Sequence, residues 1–305
     1  MKKYDIFHFW AKPYFIPITY NLFKTHFPVD LYLLKKLGKK IVFSTDGCYT
    51  MIRPSVWKTK IDPQICHVCQ TTQGDTYGFC SNANTIRLNE AMEKYGDLRF
   101  GLGINYDFEK DAEYCIYPVD TDEWHPGIKV PDKFVYKRQR PGSLLIYHGV
   151  GSHAIGNRGN IKGTDWIIKA VKELQDEGRN IELMHMENCP HNEIKYHQAQ
   201  ADIVVDQLLI GGGGANAKEC MALGKPVLTR VHDEQLNSFI KASAPNEPPP
   251  YVATDARNLK ENLIMLIDNP GLRAEIGKKS RQFAENVLSP ENSARRFLAH
   301  YEKLY

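Results

Sequence analysis

GGGGANAKECMALGKPV, residues 211–227, decides how the rest of the chain is read. Four glycines run into a helix-forming stretch, Gly224 ends it, and Lys225-Pro226-Val227 opens a strand. Successive glycines let a backbone approach a ligand closely. A helix starting directly after them turns its positive end toward the same place. Glu219 lies in the early turns of that helix, where a carboxylate can accept hydrogens from a vicinal diol such as a ribose. The competing reading is an ordinary loop and amphipathic helix, with Glu219 near a favourable dipole.

Working outward, residues 143–147, 181–186, 201–205, 226–229 and 251–253 read as short apolar strands. Helical patterns separate them. In the segment 164–178, Ile167, Ile168, Val171 and Leu174 form one face, with Thr164 as N-cap and Gly178 as the C′ residue. Residues 192–200 and 256–268 read as helices, and another starts at Leu272 with Ile276, Phe283 and Val287 for its core face. Ser289-Pro290 is an N-cap followed by proline at N1, starting a terminal helix to about Leu304. This alternation predicts βαβ units around a parallel sheet.

The first half begins in the same style, with strands at 5–9 and 40–44 around a helix at 30–40 that Gly38 stops. Residues 48–82 then hold four cysteines and little periodicity, and 126–142 read as a linker rich in proline and charge. The expected organisation is α/β. An N-terminal Rossmann-like domain spans 1–140 with a Cys-rich segment at 48–82, a nucleotide-sugar-binding domain spans 141–288, and a terminal helix, 289–305, packs back toward the first domain. A length of 305 residues suits two cores better than one. Net charge is +3, which calls for no nucleic-acid partner. No apolar run nears the ~20 residues of a membrane helix. The basic start MKKYDIFHFW lacks a signal-peptide pattern, so the expectation is a cytoplasmic protein.

The loop after the strand at 143–147 holds Gly156, Arg158, Gly159, Lys162 and Gly163 ahead of a helix. Both basic heads can converge on one anion, Arg as a fork and Lys as a point charge. Solvated surface charges are the plainer alternative. This loop and the glycine loop both follow strands of one sheet, and open α/β sheets bind ligands at the carboxyl ends of their strands.

Three stretches carry a family resemblance: N-R-x-x-x-K-G-T from Asn157 to Thr164, A-D-I-V-V-D-Q-L-L from Ala201 to Leu209, and E-C-M-A-L-G-K-P-V from Glu219 to Val227. Together they resemble the donor-binding domain of a GT-B retaining glycosyltransferase of family 4, and residues 118–126 resemble its inter-domain segment. The resemblance implies two Rossmann-like domains facing a cleft, the first of them shortened here. It implies transfer of a sugar from a nucleotide-diphosphate donor, a UDP-sugar being favoured, to a glycan or lipid-linked acceptor with retention, in cell-surface polysaccharide or glycoconjugate synthesis. Arg158 and Lys162 match its basic pair on the diphosphate, and Glu219 matches the second acid of its E-x7-E motif. The first acid falls at Gly211, so amides of Gly212, Gly213, Gly214, Ala215 and Asn216 are the substitutes on the donor. Glu187 and His191 match the base-binding strand end, or are surface groups. Asp46, before Gly47, either contacts the sugar or acceptor or forms an Asp-Gly turn. The resemblance further implies no catalytic metal and is compatible with peripheral contact at the inner membrane face. Set against the resemblance, roughly one or two N-terminal βαβ units are expected to be absent, the protein being naturally short or completed by another segment or partner. The missing first acid and the short N-terminus also suit a catalytically weak nucleotide-sugar-binding or scaffold subunit.

Cys66 and Cys69 form a C-x2-C pair, with Cys80 after them and Cys48 before. Four thiolates at such spacing can close a tetrahedral structural zinc site. The alternatives are unrelated buried thiols and a redox pair, the latter disfavoured because no helix start follows the C-x2-C. Cys115, Cys189 and Cys220 read as ordinary buried cysteines.

Overall fold

A computed structural model describes residues 3–10, 28–45, 50–69, 80–151, 161–243 and 246–305. The chain divides into two compact units. One comprises residues 1–67, 72–115 and 297–305, the other 68–71 and 116–296. The division falls at Cys115/Ile116, not at 140, because residues 116–140 bond to the second unit. Val119 N–H donates to Leu288 O (2.9 Å), Tyr136 N–H to Gln200 Oε1 (2.7 Å), and Gln139 N–H to Glu182 (3.0 Å).

In the first unit, β1 (Ile6–Trp10), β2 (Lys40–Ser44) and β3 (Leu98–Phe100) form a parallel sheet in the order β1-β2-β3. Period-two alternation divides β2 between two cores. Ile41 and Phe43 face Leu31, Leu34, Met92 and Tyr95, while Val42 faces Phe100 and Cys115. Helix α1 (Val29–Lys36) ends where Gly38 takes φ 68, as the Gly38 stop predicts. Helix α2 (Asn82–Tyr95) and β3 lie in a stretch to which the sequence reading assigns no element. Helix α2 buries Thr85 and Asn89 beside Met92 and Tyr95, so its inward stripe is half polar and hides the usual periodicity. Ser81 caps it by accepting from Asn84 N–H at 3.1 Å. His8 lies between Ser44 Oγ and Tyr301 OH, each at 2.6 Å, and burial lowers its pKa to about 4.

The second unit is a five-stranded parallel sheet in the order β5-β4-β6-β7-β8. Its strands are β4 (Leu144–Val150), β5 (Ile181–Glu187), β6 (Ile203–Val205), β7 (Val227–Thr229) and β8 (Val252–Ala253). Helices α3 (Thr164–Asp176), α4 (His191–Ala199), α5 (Ala215–Ala222) and α6 (Asp233–Ala242) make the four crossovers. Helices α7 (Leu259–Asp268) and α8 (Pro270–Phe283) follow, and α9 (Pro290–Glu302) starts in this unit, its residues from 297 on belonging to the first. Helix α6 lies in a stretch that the sequence reading leaves unassigned; Leu236, Phe239 and Ile240 share one face of it, and only Phe239 is fully buried. Strand residues Ile146, Ile203, Val205 and Leu228 pack against Ile167, Val171 and Leu174 of α3 and Leu259, Leu263 and Leu266 of α7. Ile168 departs from the expected face of α3 and is 42% exposed, one residue or ~100° around the helix from Ile167. The N-cap of α3 is Gly163 at φ 83, not Thr164, which is already helical. Among the described residues no helix is long and apolar enough to cross a membrane.

Candidate functional site

The order β5-β4-β6-β7-β8 reverses direction between β4 and β6. In open α/β sheets the crevice at such a switch point, beyond the carboxyl ends of the strands, is where ligands bind. Here the chain places Asp206, the residue directly after β6, fully buried. Its Oδ1 accepts from Lys162 Nζ (3.0 Å) and Asn216 Nδ2 (2.9 Å), and its Oδ2 from Gly214 N–H (3.3 Å). Burial alone would raise the Asp206 pKa. The Lys162 ammonium and the Asn216 amide outweigh it and hold the carboxylate below its ordinary value. Lys162 also donates to Gly149 O at 3.0 Å. An ammonium has three N–H donors. Among the described residues two are engaged.

Local backbone chemistry fixes that lysine. Gly163 adopts the left-handed region directly after it, and Leu208 N–H donates to Lys162 O at 3.0 Å. Behind it His148, on β4, accepts or donates at both ring nitrogens, to Val205 O (2.9 Å) and Thr164 Oγ1 (3.0 Å). The carbonyl can only accept, so Nδ1 carries the proton and Nε2 accepts from the threonine hydroxyl. Burial lowers the His148 pKa to about 4, so the ring is neutral.

Glu219 lies in α5, 8% exposed. Its Oε2 accepts from Gln198 Nε2 at 2.7 Å, and its Oε1 from His191 Nε2 at 3.1 Å. Gln198, itself fully buried, accepts from the Trp124 indole N–H at 2.9 Å. A residue of the segment before β4 thus sets the orientation of an acid after β6.

Three of the four glycines have a packing reason. A Cβ on Gly211 would strike the ring of His232, on Gly212 the Gln235 amide, and on Gly213 the Tyr251 hydroxyl. Gly212 and Gly213 also take φ values of 93 and 57, which disfavour other residues. The amide of Gly212 donates to Arg230 O (3.0 Å) and that of Gly214 to Asp206. Two of the amides expected to face a donor are therefore used within the loop. The volume where a first acid of an E-x7-E pair would begin is filled by His232.

Other expected residues fall variously. Ala215 opens α5 and is exposed, and Asn216 bonds Asp206. Glu187 ends β5, exposed, with His185 Nε2 at 3.3 Å. Arg158, Asp46 and Cys48 lie outside the described residues. Cys66 is buried while Cys69 and Cys80 are half-buried, and no group of three metal-ligating side chains occurs among the described residues. Cys115 and Cys220 are buried as expected, but Cys189 is half-buried, in the loop between β5 and α4. Sequence reasoning missed Asp206, His148 and Gln198. The available signal for Asp206 was a carboxylate ending the apolar run ADIVVD.

No protein-family model matches the sequence, and no curated protein does. Solved structures are similar. Sucrose-phosphate synthase from Thermosynechococcus elongatus matches with TM-score 0.62 at 12% identity, over 99% of this chain and 74% of that one. HepE of Anabaena, in complex with UDP, matches with TM-score 0.57 at 12% identity, over 90% and 75%. A putative UDP-N-acetylglucosamine 2-epimerase from Listeria monocytogenes matches with TM-score 0.50 at 12% identity, over 99% and 76%. Identities this low make the likeness one of fold.

Proposed function

The chain has the GT-B fold, and from that premise we propose that it is a glycosyltransferase using a nucleotide-diphosphate sugar, a UDP-sugar first among them. The observation that carries the proposal is the Lys162–Asp206 pair at the switch point, an ion pair with one ammonium N–H unused among the described residues. Such a donor, held by a buried carboxylate and a carbonyl, can meet a diphosphate oxygen without reorganising. Its charge offsets the charge that grows on the leaving diphosphate as the glycosidic bond breaks. Arg158 joins it in this proposal as a forked second cation. Glu219 takes the ribose hydroxyls, and Glu187 flanks the base. The departing phosphate then serves as the base for the acceptor hydroxyl, which gives retention and requires no protein base. The acceptor is a glycan or lipid-linked saccharide of the cell surface, reached from the cytoplasmic side, with Asp46 on the acceptor side. Support for UDP comes from the UDP complex of the HepE neighbour.

A second reading has its own observation. With His232 in the place of the first acid, the donor sugar loses one carboxylate partner, which suits a nucleotide-sugar-binding subunit of low turnover. Hydrolysis and transfer assays with UDP-, GDP- and ADP-sugars, with a crude glycan extract as acceptor, separate the two. Sugar transfer is the expected result, and nucleotide binding with neither hydrolysis nor transfer would establish the second reading.

A structural zinc on Cys48, Cys66, Cys69 and Cys80 is also proposed, on the C-x2-C spacing. Metal analysis after dialysis is expected to find one zinc per chain. Its absence, with four titratable thiols in that segment, removes the site.

A further inference from the structure

The two oxygens of Glu219 are held very differently. Oε2 faces Gln198, which is fully buried and itself fixed by the Trp124 indole. Oε1 faces His191, whose side chain is 74% exposed against 10% for Glu219. A carboxylate can only accept, so His191 presents Nε2–H to it. The imidazole ring lies 5.2 Å from the Trp124 ring, centroid to centroid, at the first residue of α4. An exposed contact of this kind contributes little, whereas a buried hydrogen bond to a charged group contributes more. Of the two partners, His191 is the one a ligand can displace at small cost.

Resting on the donor-site reading above, we propose that His191 is a stand-in for the nucleotide diol. In the ligand-free protein its Nε2–H occupies the Glu219 oxygen that a ribose hydroxyl takes on binding. Gln198 stays in place and keeps the carboxylate aimed. His191 is therefore a specificity-determining residue: it must be pushed aside, and only a ligand that offers hydroxyl hydrogens in return recovers the bond. A nucleotide lacking the diol would displace nothing and would bind alongside the His191–Glu219 contact.

The inference does not depend on the base, since UDP, GDP and ADP all present the same diol. Calorimetry on the intact chain with the tightest of these three, and with its 2′,3′-dideoxy form, tests it. His191→Ala, an exposed substitution expected to fold normally, should tighten the natural nucleotide by about two- to fivefold and leave the dideoxy form unchanged. Glu219→Ala should abolish the difference between the two ligands. Weaker binding of the natural nucleotide in His191→Ala, or an equal shift for both ligands, overturns the stand-in role while leaving the donor site intact. If none of the three nucleotides binds the wild-type chain, the donor-site reading and this inference fall together.

Discussion

The two ends of the second unit's sheet each hold a buried carboxylate, and they are neutralised in opposite ways. At the amino end Glu182, 5% exposed, accepts from Gln139 N–H (3.0 Å), Arg140 N–H (2.9 Å), the Ser143 hydroxyl and Tyr136 OH (3.3 Å). At the carboxyl end Asp206 accepts from an ammonium, an amide and one backbone N–H. Glu182 is saturated by neutral dipoles from the segment leading into β4, so nothing is left over for a ligand. Asp206 faces a cation with one N–H unused among the described residues. Burial of an acid therefore does not mark a binding site by itself; in the proposed donor site it is the spare capacity of the acid's partner that distinguishes Asp206 from Glu182.

The largest effect should come from breaking the carboxyl-end pair. Lys162→Met strands a fully buried carboxylate, and loss of one partner of a buried ion pair costs about 3–5 kcal/mol. Urea unfolding should reveal that loss, together with a fall in sugar transfer of about 100-fold or more. Adding Asp206→Asn should restore most of the stability and none of the transfer. If the double variant recovers transfer, Lys162 is a purely structural cation and the contrast between the two ends disappears.

At the amino end the outcome should be the reverse. Glu182→Gln keeps the shape but replaces an acceptor oxygen with an N–H facing donors, costing about 2–3 kcal/mol. Nucleotide affinity should not change. Burial would raise the Glu182 pKa, but its four hydrogen bonds win and lower it from 4.5 to about 2. A depressed carboxyl stabilises the fold above its unfolded value and loses that contribution as pH falls. The wild-type chain should therefore lose stability between about 4.5 and 2, and Glu182→Gln should flatten that limb of the unfolding curve.

A smaller effect probes the glycine loop between these extremes. Gly211→Ala puts a methyl into the His232 ring. Overpacking of this sort costs about 1–3 kcal/mol, read as a lower melting temperature. His232→Ala in the same chain should relieve it. In that background Gly211→Glu supplies the absent first acid, and stronger binding of a nucleotide sugar over the bare nucleotide would mark His232 as its replacement.

How much of this was legible follows the same division. The strands of the second unit were readable because each is a short apolar run between polar loops, and Gly38, Gly178 and Gly224 mark helix ends by chain geometry alone. Lys162 and Glu219 were readable as a basic loop and an acid after a glycine run. Asp206 and Gln198 were not. Their roles depend on residues 44 and 74 positions away, Lys162 and Trp124, and no local pattern encodes such pairings. Thr164 misled for a related reason: it looks like an N-cap, but Gly163 takes that position and frees its hydroxyl for His148. Helix α2 escaped because buried Thr85 and Asn89 erase its apolar stripe. The Asn89 amide instead donates to Thr50 O and Thr85 O, both at 2.7 Å.

The finest division of the two ends concerns one hydroxyl. Tyr136 OH is the longest of the four bonds to Glu182, at 3.3 Å, and its side chain is only partly buried. Burial first, then the Glu182 charge and hydrogen bond, raise its pKa. Three donors remain if it is removed, so the carboxylate stays satisfied and the desolvation penalty of an orphaned acid does not arise. Tyr136→Phe should cost only about 0.5 kcal/mol in urea unfolding, well below Glu182→Gln, and leave nucleotide affinity untouched. A loss as large as that of Glu182→Gln would mean that the amino-end carboxylate depends on one donor, as Asp206 depends on Lys162, and that the two ends are built alike.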